Sequence, residues 1–472
     1  MRAADLFLRL FLHLQYVLWY THNMIALKKK NKVKKKRKKV SPVMIFFLTL
    51  GGILLVGLSG LLFLSLRAGK GETEQVWNSD TDGDGRQDGS GQDDPEGKDS
   101  AEGETPLHSL WEMIPEKQAS AEEEEEKEPY ADILQDPEYM AANRIYEKKS
   151  RRDGRVTLCF AGDILFDDEY AVMVKLKSRG GDIESAISKS LISEMKAADI
   201  MMINNEFPYT NRGTPTEGKK YTFRADTDTV HYLDDLGVDL VSLANNHCYD
   251  FGETGLLDTL DTLQQDGIPY VGAGRNLEEA ASPVYFISGG MKIGFLSATQ
   301  IERLDNPDTK GATAEAAGVF RCWNPEKLLD VIEETRKNCD FLVVYIHWGT
   351  ENVAEADWAQ LDQAPKIAQA GADLIIGDHP HCLQGIQYFG ETPVFYSLGN
   401  FWFNSKTLDT GLLKVSIGQD GIKSLQFIPA IQSDCRVKMV YDSEKERILS
   451  YLRSLSPGVQ IDSDGYISQN GS

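Results

Sequence analysis

The chain has 472 residues, a formal net charge of -22 and a sequence pI of about 4.9. That length accommodates one or two globular domains plus non-globular parts, and the acidic balance argues against nucleic acid as a partner. The charge is segregated along the chain: ten of the twelve residues from Lys28 to Lys39 are Lys or Arg, whereas Ala121 to Glu128 reads AEEEEEKE.

Residues 1–42 form a basic N-terminus. Its first part, LFLRLFLHLQYVLWY, is apolar but interrupted by Arg9, His13 and Gln15. Two readings fit it: a helix lying on a membrane surface, or a translation start at Met24 that leaves only a short basic leader. Residues 43–66, VMIFFLTLGGILLVGLSGLLFLSL, carry no charge. They are long enough to span a hydrocarbon core of about 30 Å and exceed the apolar stretch of roughly 7–15 residues in a signal peptide. The expectation is one uncleaved transmembrane helix. The basic flank on its N-terminal side puts the N-terminus in the cytoplasm and everything after Arg67 outside the cell membrane.

Residues 67–153 are poor in apolar periodicity and rich in Gly, Asp, Glu and Ser, as expected of a solvated, disordered tether. Within it, DTDGDGRQD (Asp80 to Asp88) places carboxylates at relative positions 1, 3, 5 and 9 with Gly at 6, like a calcium loop, but Gly91 stands where such a loop needs Glu. Weak calcium binding and plain acidic linker both fit. The six cysteines form no CxxC pair. Cys248 follows His247 and Cys382 follows His381, so a thiol pair or disulfide between those two is open if the histidines converge.

A domain is expected over 154–452, with 453–472 as a tail. Strand-like runs alternate with helix-like ones. RVTLCFAGD (from Arg155) is a strand, Ile183 to Ala198 a helix and DIMMINNE (from Asp199) a strand. TDTVHYLDDLG is a helix, VDLVSLANNH a strand and Glu253 to Gln265 a helix. A helix from Pro325 precedes the strand DFLVVYIHWG, and a helix over Asp357 to Ala370 precedes ADLIIGDHPH. VYFISGGMKIGFLSA and LLKVSIGQDGIKSLQFIPA read as hairpins, turning at Gly289-Gly290 and Asp420-Gly421. Antiparallel pieces beside parallel-type units predict a layered α/β fold with two packed mixed sheets and helices outside.

Five of the apolar runs end in polar groups: Asp163; Glu206; Asn246 and His247; His347; His379 and His381. Functional groups in α/β proteins collect at the carboxyl ends of strands. Imidazole, carboxylate and amide oxygen suit one or two divalent ions of Mn, Fe or Zn, with one carboxylate bridging the pair. Such a centre supports hydrolysis. His247 is the expected general acid and Asp250 the group that orients it. Asp378 is expected to accept a proton from a ligand histidine, and Asn245 to support its turn. Arg224 and Lys220 are candidate substrate clamps for phosphate or carboxylate. Trp348, Phe401, Trp402 and Phe403 line a groove or belong to the core.

AGDILF, NNEFP, SLANNHCYDFG, YIHWGTE, GDHPHCLQG and FYSLGNFWF together resemble the CapA family of capsule and poly-γ-glutamate synthesis or export. That family is similar to calcineurin-like metallophosphoesterases, whose fold is a four-layer sandwich with two central mixed sheets flanked by helices. The resemblance implies Asp163, Glu206 (as the bridging carboxylate), Asn246, His347, His379 and His381 as metal ligands and His247 as general acid. It also implies a membrane-anchored outward-facing domain, an anionic extracellular polymer and membrane-bound polymer synthase or export subunits as partners. One departure stands out. Leu165 occupies the position of a ligand histidine in the phosphoesterase D-x-H motif, so one ion loses a nitrogen ligand. Two functions therefore remain: a metal-dependent hydrolase or transferase on phosphoester or amide bonds, and a non-catalytic component of the polymer machinery.

Overall fold

The computed structural model describes residues 129–470 except 153 and 302–308. The basic N-terminus, the expected span, most of the tether and the calcium-like loop lie outside the described residues. Among those described, no helix is long and apolar enough to cross a membrane.

Six strands position the site: β1 (Arg155–Ile164), β2 (Ile200–Asn205), β3 (Leu240–Ser242), β4 (Phe341–His347), β5 (Leu374–Asp378) and β6 (Asn400–Trp402). A ten-stranded sheet contains β1, β2 and β3 in parallel, with β6 parallel to β1 and the hairpin of Leu408–Gly418 and Gly421–Ser433 antiparallel to it. A seven-stranded sheet contains β4 and β5 in parallel, next to the hairpin of Val284–Ser288 and Met291–Thr299. Both sheets are mixed, and both expected hairpins form.

Period-two alternation assigns each strand face to a layer. Val156, Leu158 and Phe160 of β1 meet Phe341, Val343 and Tyr345 of β4 in the core between the sheets. The alternate residues Cys159 and Ala161 face helices Lys189–Ala197 and Gly252–Gln265 through Leu191, Met195, Leu256 and Leu260. On the far side, Leu342, Val344 and Ile346 pack on helices Glu326–Arg336 and Trp358–Ala370 through Leu328, Ile332, Ala364 and Ile367. The result is a four-layer α/β/β/α sandwich. Burial on both faces explains why the central strands read as continuous apolar runs.

Local chemistry sets the helix limits. Asp357 closes a capping box with Gln360 at the start of Trp358–Ala370, and Gly371, at φ 118°, ends it. The helix expected over Ile183 to Ala198 is broken. A turn at Ile183–Ser185 is followed by extended Ser188, whose amide donates to the Val437 carbonyl at 2.9 Å, and the helix then restarts at Lys189.

The folded part is longer than the 154–452 expected. Ile145–Glu147 pairs in parallel with Val284–Ser288, and the Tyr130 hydroxyl donates to Asp340 at 2.6 Å, just before β4. At the other end, Val459–Ile461 and Tyr466–Gln469 form a hairpin that extends the ten-stranded sheet. These strands are too short to show an apolar period by themselves, and they are fixed by pairing partners far away in sequence.

Candidate metal centre

The carboxyl ends of β1 to β5 converge. Asp163 is the last residue but one of β1, Glu206 follows β2 by one residue, and both are fully buried. Close backbone approach makes this possible. A Cβ on Gly162 would lie 1.8 Å from the Gly399 carbonyl oxygen, so only glycine lets the chain before Asp163 meet the Gly399–Asn400 turn. The Asp163 amide donates to that same carbonyl at 3.0 Å. After β5, His379 and His381 take positive φ values of 103° and 57° on either side of Pro380. Such strained backbone is typical of ligand-holding turns, and here it sends two imidazoles into one cavity.

Two donor groups share one carboxylate. Glu206, His347 and His379 present ligand atoms within 4.8 Å of one another, and so do Asp163, Glu206 and His381. In the first group, His347 Nε2 lies 3.6 Å from Glu206 Oε1, 3.1 Å from His379 Nδ1 and 2.8 Å from Asn246 Oδ1. In the second, His381 Nδ1 lies 3.1 Å from Asp163 Oδ2 and 2.9 Å from Asn400 Oδ1. Both Glu206 oxygens are buried without a hydrogen-bond partner. A buried polar group in that state is costly, and a cation on either side of Glu206 would remove the cost. The donor set of carboxylate, amide and imidazole fits divalent transition ions.

The electrostatics agree with this fit. Burial first, and then the charge of Asp163, push the Glu206 carboxyl well above its usual range. Burial and neighbouring His379 and His381 hold His347 well below the usual histidine value. For His381, burial works downward, but hydrogen bonding and attraction to Asp163 outweigh it and raise the value. Glu206 resists ionising and His347 resists protonation, as crowded ligands do before a cation compensates them.

His247 lies beside this cage. Its Nδ1 is 2.7 Å from Asp250 Oδ2, and its Nε2 faces Glu206 Oε1 at 4.0 Å. Asp250 is fully buried and also accepts from the Phe223 amide at 2.7 Å and from Lys219 Nζ at 2.5 Å. Lys219 also donates to the Asn246 carbonyl. Asn245 does support the turn, since its Oδ1 accepts from the amides of His247 and Cys248.

One expectation is corrected. Asp378 accepts from the Tyr345 hydroxyl and the Leu398 amide rather than from a ligand histidine. Asp378 is paired with His347 across β5 and β4, but the neighbouring Tyr345 hydroxyl and Leu398 amide take its two oxygens. Lys220 and Arg224 are exposed and lie over the rings of Tyr221 and Phe251. The basic group that reaches the donors is Lys219, whose side chain is only 5% exposed. Trp348, Phe401 and Trp402 are core. Only Phe403, 5.2 Å from the His381 ring, walls the site, together with Phe223, 4.4 Å from the His247 ring. All six cysteines are free thiols, so Cys248 and Cys382 are not bridged.

Sequence reasoning missed Asn204 and Asn400. Asn204 Nδ2 donates to Asp163 Oδ1 at 2.8 Å and lies 3.3 Å from His347 Nδ1, tying a carboxylate to an imidazole. Its signal was its place two residues before Glu206, on the same strand face. Leu165 is fully buried among apolar side chains and brings no nitrogen to the cage.

An α/β/β/α sandwich whose strand ends build a cage of shared carboxylate and imidazole defines a class of domain suited to holding divalent cations. Residues 157–405 match the family described as "Bacterial capsule synthesis protein PGA_cap", and the chain belongs to that family. It is 30% identical to the "PGA biosynthesis protein CapA" of Bacillus subtilis (strain 168) over 60% of this chain and 73% of that one. It is 29% identical to the "Capsule biosynthesis protein CapA" of Bacillus anthracis over 60% of this chain and 68% of that one. A "Probable polyglutamine synthesis accessory protein" of Mycobacterium tuberculosis is 25% identical over 56% of this chain and 74% of its own length.

Proposed function

We propose that this chain is a membrane-anchored, outward-facing protein of capsule or poly-γ-glutamate synthesis or export, whose domain is a metal-dependent hydrolase or transferase acting on a phosphoester or amide bond of an anionic polymer. Membrane anchoring rests on the uncharged run Val43 to Leu66 and its basic flank. The polymer class rests on the family and on the names of the relatives. The observation that carries the catalytic reading is Glu206, buried with both oxygens unpartnered between two sets of ligand atoms.

Asp163, Glu206 and His381 would hold one ion, and Glu206, His347, His379 and Asn246 the other. When bound, such ions polarise the attacked group and acidify water. His247, held at Nδ1 by Asp250, moves a proton at Nε2 toward the leaving atom. Lys219 offsets the charge of Asp250, and Phe223 and Phe403 narrow access for water.

The test is turnover of a generic phosphodiester by the full-length protein loaded with Mn or Zn. Turnover lost in His247→Ala with metal content unchanged supports catalysis. A second reading, a non-catalytic assembly component that uses metal to hold polymer carboxylates, is favoured by Leu165. Normal polymer export in cells carrying His247→Ala would establish that reading and overturn the enzyme.

A further inference from the structure

The two halves of the cage differ in donor chemistry. On the His347 side, two imidazoles, the Asn246 amide and Glu206 meet. On the Asp163 side, Asp163, Glu206 and a single imidazole, His381, meet, and residue 165 is a buried leucine. Asn204 faces Asp163 there with its Nδ2, whereas Asn400 presents an oxygen, its Oδ1 lying 2.9 Å from His381 Nδ1. Asn400 is 1% exposed and sits directly opposite Asp163 in the parallel pairing of β6 with β1, where the register then shifts before Trp402. Irregularities of this kind re-aim side chains beside functional sites. Gly399 fixes the approach. It has a φ of 66°, and a Cβ there would lie 2.8 Å from the Cys382 backbone, so the turn carrying Asn400 is pressed against the residue that follows His381.

We infer that Asn400 Oδ1 is the fourth protein donor of the Asp163–Glu206–His381 position, which makes that position oxygen-rich beside a nitrogen-rich neighbour. The inference rests on the metal reading above and goes beyond it by assigning a ligand and a metal preference. Three oxygens and one nitrogen favour a hard ion such as Mn or Mg. Two nitrogens and two oxygens favour Zn or Fe. The centre is therefore built for two different metals.

The experiment uses the full-length chain in detergent, stripped with chelator and titrated first with Zn and then with Mn. Elemental mass spectrometry counts the ions, and electron paramagnetic resonance follows free and bound Mn. Wild type should take one Zn and one Mn. Asn400→Ala should keep the Zn, which also reports an intact fold, and bind Mn about 10–100-fold more weakly. Asn400→Asp should keep both ions. His381→Ala and the double variant separate ligation from mere support of His381. A further loss of Mn affinity in the double variant supports direct ligation; no change on removing Asn400 from His381→Ala overturns it. Unchanged binding of both ions by Asn400→Ala also overturns the assignment while leaving the metal centre intact. Absence of any bound ion in wild type overturns the metal centre itself.

Discussion

The two sheets bring different chemistry to one place. The ten-stranded sheet contributes Asp163, Asn204, Glu206, Asn246, His247 and Asn400, which is nearly all of the carboxylate and amide oxygen. The seven-stranded sheet contributes His347, His379 and His381, so it supplies the ligand imidazoles. Each set of ligand atoms draws on both sheets. Neither sheet carries a full set of these donor atoms by itself, and the core between them, with Phe160, Val343 and Tyr345, sets the donor spacing. The cage is a property of the docked pair.

The comparison breaks most completely if the imidazole side is emptied. His379→Ala/His381→Ala removes one nitrogen from each set, and elemental mass spectrometry should find two ions per chain falling to none. The next effect is on docking. Phe160 is fully buried between the sheets, and Phe160→Ala should cost about 3–5 kcal/mol in urea unfolding, with metal affinity falling although no ligand is touched. A smaller effect of opposite sign tests the oxygen side. In chelator, the raised Glu206 carboxyl contributes its full stability below its usual value of 4.5 and loses it as pH rises through the folded value. Glu206→Gln should therefore melt above wild type at pH 8 in chelator, the gain shrinking toward acid, while the variant no longer binds a metal pair. The smallest effect sharpens the choice between adjacent lysines. Lys220→Ala should change stability by less than about 0.5 kcal/mol, whereas Lys219→Ala, which strands the buried Asp250 carboxylate, should cost several-fold more in the same urea titration.

Much of this architecture was legible because the central strands are buried on both faces and their polar ends stand out against apolar runs. Asp163, Glu206, Asn246, His347, His379 and His381 do converge. What was not legible depends on the third dimension. Lys219 and Lys220 are indistinguishable in composition, and only the path of the segment turns one inward. Asp378 could be matched with the Tyr345 hydroxyl only from the pairing of β5 with β4. Asn400 lies in a run of aromatics that reads as core, and its role depends on a neighbour strand 237 positions away, from Asp163 to Asn400. The short strands at Ile145–Glu147 and Val459–Ile461 carry too few residues for a period.

The Tyr130–Asp340 bond lies at the start of β4, and His347 at its end. Seven residues of strand at about 3.3 Å each put roughly 20 Å of sandwich between them. The segment beginning at Pro129 is therefore fastened at the end of β4 opposite the cage.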